Sequence, residues 1–301
     1  MNSGTRGGNE VPAREGSRQN EAMRIGIGLP SAIPGRDPRL VIDWARQAEQ
    51  AGFTSLGVVD RVNYDAVEPL VALAAAAAVT KRIRLVSMVI IGPLHNPVLL
   101  ARQAASLDAL SEGRLTLGLG VGARREDYEA AGVDYRRRGH VLTEQLARIR
   151  DHWEDGQVGP IPISTGGPDL LIGGTSGPAF LRAARLADGY VHGGGPARSF
   201  ASAAAKVKAA WEEVGRPGSP QLWGQAYFGL SDPGAVNSYL LDYYRFTGPF
   251  AQRIAEAGLS SATQLTNFIR SYEDAGCEEL VLLPAIAEIS EVERLASIVT
   301  R

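Results

Sequence analysis

Short apolar runs and amphipathic stretches alternate along the chain from Arg24 to its C-terminus. The apolar runs are nearly continuous and rich in β-branched residues, which is typical of parallel strands covered on both faces. The stretches between them repeat apolar residues at helical spacing. Eight such runs occur, namely RIGIGL, SLGVVD, IRLVSMVII, RLTLGLG, DLLIGG, DGYVHG, QLWGQAYFGL and EELVLLP.

Eight alternations of strand and helix predict an α/β fold of the TIM-type (β/α)8 barrel class. Right-handed crossovers close such a repeat most simply as a barrel, and one barrel occupies about 250 residues. Residues 23–301 are therefore predicted to form a single domain. A helical insertion is predicted before strand 8, and its aromatic residues are Tyr239, Tyr243, Tyr244 and Phe246. Barrels of this class carry their active sites at the C-terminal ends of the strands.

Residues 1–22 differ from the rest, being rich in Gly, Asn, Arg and Glu and poor in apolar side chains. They are predicted to be a disordered tail, and Met23 is an alternative natural start. The net charge of -2 provides no general attraction to nucleic acid. The single cysteine, Cys277, fits a reducing cytoplasm, and the apolar AAAAAV tract is too short to span a membrane. We therefore expect a cytoplasmic protein whose partners include neither nucleic acid nor membrane.

Glycine clusters follow two neighbouring predicted strands. A backbone without Cβ atoms can approach a phosphate closely, and the amides at the start of a helix favour an anion. The pattern predicts a phosphate cradle, although glycines at strand ends are more often plain turns. The cradle would consist of Gly173, Gly174, Thr175, Ser176, Gly193 and Gly194.

Several motifs resemble those of the luciferase-like monooxygenase family. The segments NPVLLARQ and SLDALSEGRLTLGLGVG carry the resemblance, and it continues through AAGVDYRRRGHVLTEQL, LLIGGTSGPAFLRAARLADGYV and YEDAGCEELVLLP. The resemblance covers nearly all of the chain from Met23 onward. It implies a TIM-type barrel that binds reduced FMN or the deazaflavin coenzyme F-420. It also implies an oxidoreductase or oxygenase of small organic molecules that forms a homodimer.

The resemblance further implies cofactor-binding roles for individual residues. The two glycine loops would hold the cofactor phosphate. Ser87, Met88 and Val89 match a bulge in the third strand that supports the flavin ring, often with a cis peptide bond. Two alignments of the bulge place that bond at Ser87–Met88 or at Met88–Val89. The alternative is an ordinary buried strand in which Met88 fills a gap.

Asp60 and Arg61 follow the second strand, where many relatives carry an Asp-His or His-His catalytic pair. The missing histidine puts the usual acid-base role in doubt. Asp60 could instead hydrogen-bond the cofactor or substrate and Arg61 could bind an anionic group, or the two could form a surface salt bridge. His95 lies at the predicted mouth and suits proton transfer, unless it is merely an exposed turn residue. The histidines do not have metal-ligand spacing.

Gly118, Gly120 and Gly122 lead into Arg124 above the same mouth. Their small size is expected to leave room for a ring, and Arg124 could pair with an acidic substrate or with the cofactor.

Three hypotheses follow. The favoured one is an oxidoreductase or monooxygenase that uses FMN reduced elsewhere. The second is hydride transfer with deazaflavin, and the third is a barrel that binds flavin without turnover. The sequence lacks a complete GxGxxG fingerprint that opens a helix, so reducing equivalents are expected from a separate flavin or deazaflavin reductase.

Overall fold

Parallel strands close into a barrel with helices between them, which confirms the predicted TIM-type (β/α)8 fold. The computed structural model describes residues 22–156 and 159–299. The predicted tail lies outside the described residues, apart from its last residue, Ala22. The strands are β1 (Arg24–Gly28), β2 (Ser55–Val58), β3 (Arg84–Ser87), β4 (Ile90–Ile91), β5 (Leu115–Gly120), β6 (Asp169–Gly173), β7 (Gly189–His192), β8 (Gln221–Phe228) and β9 (Glu279–Pro284).

The third strand of the barrel is interrupted, so β3 and β4 together occupy one of its eight positions. The strand order is β3-β2-β1-β9-β8-β7-β6-β5-β4, and an additional pairing of β3 with β5 closes the ring. Leu85 of β3 lies opposite Leu115, whereas Ile90 of β4 lies opposite Leu119 farther along the same partner strand. The interruption falls at Met88 and Val89, where a bulge was predicted.

The helices largely follow the predicted pattern. Helix α3 begins with Pro97, and the side chain of Asn96 accepts hydrogen bonds from the amides of Val98 and Leu99. The helices are α1 (Leu40–Gln50), α2 (Pro69–Val79), α3 (Pro97–Leu110), α4 (Arg125–Ala131), α5 (Arg138–Asp155), α6 (Gly177–Leu186), α7 (Ala197–Glu213), α8 (Pro233–Tyr243), α9 (Phe250–Glu256), α10 (Ala262–Asp274) and α11 (Ser290–Val299). Within the described ranges, no helix has the length and apolar character needed to cross a membrane.

Two apolar layers hold the structure together. The outer layer lies between the strands and the helices and includes Trp44 and Leu117. The inner layer fills the barrel with Met88 and Trp223, and it is continuous with Tyr239 of α8. The predicted insertion therefore exists as α8 and α9, and α8 packs onto the inner core of the barrel.

Candidate active site

The two glycine clusters lie side by side at the C-terminal ends of β6 and β7. These strands are paired, with Gly173 opposite Val191. Gly174 has φ +134° and Gly194 has φ +103°, a backbone conformation that residues with a Cβ rarely adopt. The structure therefore brings the predicted cradle residues together, as two loops at neighbouring strand ends.

Hydroxyl groups border the same loops. Thr175 and Ser176 are exposed, and Ser176 is the residue that precedes α6. The Ser176 side chain makes no capping hydrogen bond to the first turn of α6. Its hydroxyl is consequently available to an anion. The helix itself offers few free amides, because Pro178 has no N–H and the amide of Ala179 already donates to the carbonyl of Ser176 at 2.9 Å.

Gly193 is the member of the cradle that faces open space. A Cβ built on Gly193 would meet no heavy atom within 4 Å. A Cβ on Gly174 would lie 2.9 Å from Cβ of Ala179, and one on Gly173 would lie 3.3 Å from both methyl groups of Val89. Packing therefore explains the absence of a side chain at Gly173, whereas Gly193 leaves a space that a ligand can use.

The Met88–Val89 peptide bond is cis, which is the second of the two placements that the family resemblance implied. Ser87 holds this break in the third strand against β5. Its Oγ donates a hydrogen bond to the carbonyl of Gly118 at 2.8 Å and accepts one from the amide of Gly118 at 2.9 Å. Met88 points into the inner core of the barrel.

The glycines of β5 and the following loop accommodate the third strand, and the expectation that they leave room for a ring is wrong. A Cβ on Gly118 would lie 2.0 Å from the backbone oxygen of Ser87. A Cβ on Gly120 would lie 2.7 Å from Cγ2 of Val89, and one on Gly122 would lie 2.9 Å from a methyl group of Ile91. The space above these glycines is already filled by the protein.

Asp60 and His95 meet beside the interrupted strand. The Asp60 carboxylate is buried and accepts a hydrogen bond from the amide of Ile91 at 2.9 Å. The same oxygen, Oδ2, lies 3.8 Å from Nε2 of His95, whose side chain is 24% exposed. The carbonyl of His95 in turn accepts a hydrogen bond from Gln145. A buried carboxylate and a partly exposed imidazole therefore stand together at the mouth, an arrangement suited to holding or moving a proton.

We expect replacement of Asp60 by alanine to destabilise the protein by about 1–3 kcal/mol, because the buried amide of Ile91 loses its acceptor. Asp60→Asn keeps an acceptor oxygen at that position and should cost less. Urea denaturation of both variants measures the difference. Equal stability of the two variants would contradict this supporting role for the carboxylate.

Arg61 is not part of a surface salt bridge, as its side chain is 0% exposed. Its guanidinium donates to the carbonyl of Tyr243 at 3.1 Å and to Oε1 of Glu126 at 2.8 Å. Its centre lies 4.2 Å from the ring centroid of Tyr64. Burial and the nearby charge of Arg124 lower the pKa of Arg61. The residue therefore ties the insertion to α4, and it does so from inside the structure.

Tyrosines gather around the insertion above the barrel. Tyr227, at the end of β8, contacts the rings of Tyr239, Tyr243 and Tyr244 with centroid distances of 5.9–6.0 Å. Burial raises the pKa of Tyr244 to about 12 and that of Tyr227 well above its ordinary value. These phenols consequently remain neutral at physiological pH and present flat, largely apolar faces.

Gln225 is a polar residue of the mouth that the sequence did not indicate. Its Nε2 donates to the carbonyl of Gly193 at 3.3 Å, and its Oε1 is buried without a protein partner among the described residues. One glutamine within an apolar strand gives no signal by itself. Its importance follows only from the pairing of β8 with β7, which sets it beside the glycine loop.

His192, at the end of β7, and Cys277 are two further titratable residues with buried side chains. The ring of His192 packs near Tyr190 and Phe200, and burial lowers the pKa of His192. Cys277 is buried, donates to the carbonyl of Glu279 at 3.2 Å and has its pKa raised to about 12 by burial. Across residues 22–156 and 159–299, no group of three or more His, Cys, Asp or Glu side chains could hold a metal ion.

In (β/α)8 barrels the active site lies at the C-terminal ends of the strands, which is where the glycine loops of this chain lie. The model of the luciferase-like monooxygenase family matches residues 22–279. The chain therefore belongs to this family, and it is an enzyme of the oxidoreductase or monooxygenase type.

Particular relatives show how far the likeness extends. The uncharacterized protein Rv0940c of Mycobacterium tuberculosis is 34% identical over 209 residues, which cover 58% of this chain and 72% of the relative. The oxygenase component of a flavin-dependent trigonelline monooxygenase of Acinetobacter baylyi is 32% identical over 141 residues, covering 44% of this chain and 39% of the relative. A solved F420-dependent secondary alcohol dehydrogenase, in complex with an F420-acetone adduct, superposes with TM-score 0.75 at 15% identity, covering 93% and 99% of the two chains. That last likeness concerns the fold.

Proposed function

We propose that the protein is a flavin-dependent oxidoreductase or monooxygenase that uses reduced FMN on a small organic molecule. The observation that carries the proposal is the pair of adjacent glycine loops. The space beside Gly193 is not filled by protein atoms, and the Ser176 hydroxyl makes no capping hydrogen bond. Family membership and the flavin-dependent relative support the same conclusion.

The residues present fit a phosphorylated flavin. The amides of Gly174 and Gly194 and the hydroxyls of Thr175 and Ser176 would hold the phosphate, and Gly193 would allow its close approach. The Ser87–Met88–Val89 bulge would support the ring. When bound, the reduced flavin supplies two electrons for hydride transfer or for oxygen activation. Asp60 and His95 would hold or move a proton beside the ring, and α8 would exclude water.

Deazaflavin coenzyme F-420 is the second candidate cofactor. The fold likeness to an F420-dependent dehydrogenase favours it, and a phosphate cradle serves either cofactor. Hydride transfer without oxygen activation would follow. Binding without turnover, the third hypothesis, is disfavoured because the chain belongs to a family of oxidoreductases.

The deciding experiment is purification without added cofactor, followed by absorbance spectroscopy and mass measurement of any bound small molecule. Anaerobic titration with reduced FMN and with reduced F-420 then ranks the two candidates. We expect tighter binding of reduced FMN. Tighter binding of reduced F-420 would make the deazaflavin the proposed cofactor in place of FMN. Binding of neither cofactor would contradict the proposed function.

The supply of electrons is a separate proposal. We propose that a distinct reductase delivers them on the cofactor, since the chain has no complete dinucleotide fingerprint. Rapid oxidation of NADPH by the purified protein with FMN alone would contradict this proposal.

We also propose a homodimer, which the family resemblance implies. Helices α2 and α3 border a shallow groove whose apolar rim is exposed, with Val71 at 62%, Leu99 at 57% and Leu110 at 73%. Exposed apolar patches often mark association surfaces. We expect light scattering to give twice the chain mass, and Leu99→Glu to shift the protein toward the monomer. A wild-type monomer at micromolar concentration would contradict the proposal.

A further inference from the structure

Arg124 occupies a buried position between the barrel mouth and the insertion. It follows the β5 loop and directly precedes α4, and only 8% of its surface is exposed. Its guanidinium carbon lies 4.7 Å from the ring centroid of Tyr243 and 4.4 Å from that of Phe246. Two aromatic faces therefore hold the guanidinium.

Among the described residues, the charge of Arg124 has no acidic partner, unlike that of its neighbour Arg61. Arg61 is bonded to Glu126 at 2.8 Å, whereas no carboxylate of the described residues lies within 4.0 Å of the Arg124 guanidinium. Nε of Arg124 is buried and has no protein hydrogen-bond partner there. A guanidinium kept from water is costly unless an anion or hydrogen-bond acceptors satisfy it.

The rings that contact Arg124 are neutral, and the nearby Arg61 is a second cation. Burial raises the pKa of Tyr243, while Arg124 and Arg61 limit that rise through their charges and a hydrogen bond from Arg124. The ring of Tyr243 also contacts those of Tyr244 and Tyr227, so the Arg124 guanidinium lies at the edge of a cluster of tyrosine rings. A neutral phenol does not balance the charge. The missing partner is therefore an anion that can lie against aromatic surfaces.

We propose that Arg124 determines substrate specificity by binding the carboxylate of a planar or aromatic organic acid. The inference rests on the proposed function, which places the substrate at this end of the barrel. Arginine presents two parallel N–H donors to a carboxylate. The rings of Tyr243 and Phe246 fix the orientation of the guanidinium plane of Arg124. The partly exposed ring of Phe246 would stack against the flat part of the acid.

The cofactor phosphate is an alternative anion for this arginine, and position argues against it. The glycine loops follow β6 and β7, whereas Arg124 follows β5 and packs against the insertion. We therefore assign the phosphate to the loops and the substrate carboxylate to Arg124.

The test compares the binding of benzoate and of uncharged benzamide to the full chain by calorimetry, with and without saturating reduced FMN. The variants are Arg124→Met, Arg124→Lys and the neighbouring Arg125→Met, an exposed arginine that serves as the matched control. We expect Arg124→Met to weaken benzoate binding by about tenfold or more and to change benzamide binding by less than about twofold. Arg124→Lys should retain part of the benzoate affinity, and Arg125→Met should behave as the wild type.

Several outcomes would overturn the assignment. The first is a wild-type protein that binds benzoate no more tightly than benzamide. The second is an Arg124→Met variant whose benzoate affinity is unchanged, and the third is an Arg124→Met variant that loses equal affinity for benzoate and for benzamide. A loss of FMN affinity in Arg124→Met as large as its loss of benzoate affinity would assign the arginine to the cofactor. Failure of the wild type to bind either FMN or F-420 would contradict the proposed function, while the ratio of benzoate to benzamide affinity would still test Arg124. Thermal unfolding of each variant shows that the compared chains are folded.

Discussion

Replacing Gly193 with valine is expected to weaken cofactor binding by about a hundredfold or more while leaving the fold intact. A Cβ at Gly193 meets no heavy atom within 4 Å, and its φ does not lie in the left-handed region. The branched side chain would therefore enter only the space assigned to the phosphate. Loss of two charge-assisted hydrogen bonds, worth about 1.5–3 kcal/mol each, accounts for the size of the effect.

Titration of reduced FMN and of reduced F-420 against wild type and variant measures this loss. Gly193→Ala is the matched variant, because its single methyl group should reduce affinity less than the valine side chain does. Gly174→Val is a poorer test, since φ +134° and the 2.9 Å approach to Ala179 would also strain the folded chain. If Gly193→Val binds both cofactors with unchanged affinity and keeps its unfolding temperature, the assignment of the phosphate to the glycine loops is wrong.

The strands and most helices could be predicted because local patterns specify them. Near-continuous apolar runs predicted each barrel strand. Helix α4 was not among the predicted elements. It has seven residues, too few to show helical periodicity, and it ends at Gly132 with φ +67°.

The roles of charged residues depended on contacts that local sequence does not show. Arg61 was considered for a surface salt bridge, but its partners Glu126 and Tyr243 lie 65 and 182 positions away along the chain. Only the closed barrel brings them to the same end. The pairing of Asp60 with the amide of Ile91 depends in the same way on the interruption of the third strand.

The glycines show the same limit most clearly, because one residue type serves three physical purposes. Gly173 leaves space for Val89, Gly174 adopts a left-handed conformation, and Gly193 leaves space that the protein does not fill. The sequence pattern placed these glycines at the ends of predicted strands, but it did not show which purpose each one serves. That distinction depends on the atoms a Cβ would meet, and those atoms belong to other strands.

Replacing Gly118 with alanine is expected to reduce the free energy of unfolding by about 3 kcal/mol or more, the upper range for overpacking. The new Cβ would lie 2.0 Å from the backbone oxygen of Ser87. A backbone atom in a central strand cannot rotate away, so β3 or β5 must move. That movement would also disturb the two hydrogen bonds between the Ser87 hydroxyl and Gly118.

Urea denaturation of three glycine-to-alanine variants tests this explanation. Gly120→Ala should cost less than Gly118→Ala, because its nearest neighbour is a methyl group of Val89 at 2.7 Å, which belongs to a side chain. Gly193→Ala should change stability by less than about 1 kcal/mol, since nothing lies within 4 Å of its Cβ. A Gly118→Ala variant as stable as Gly193→Ala would contradict the close contact of the two strands. Because the displaced segment leads directly into the Met88–Val89 bulge, a folded Gly118→Ala protein should also lose affinity for the cofactor whose ring that bulge is proposed to support.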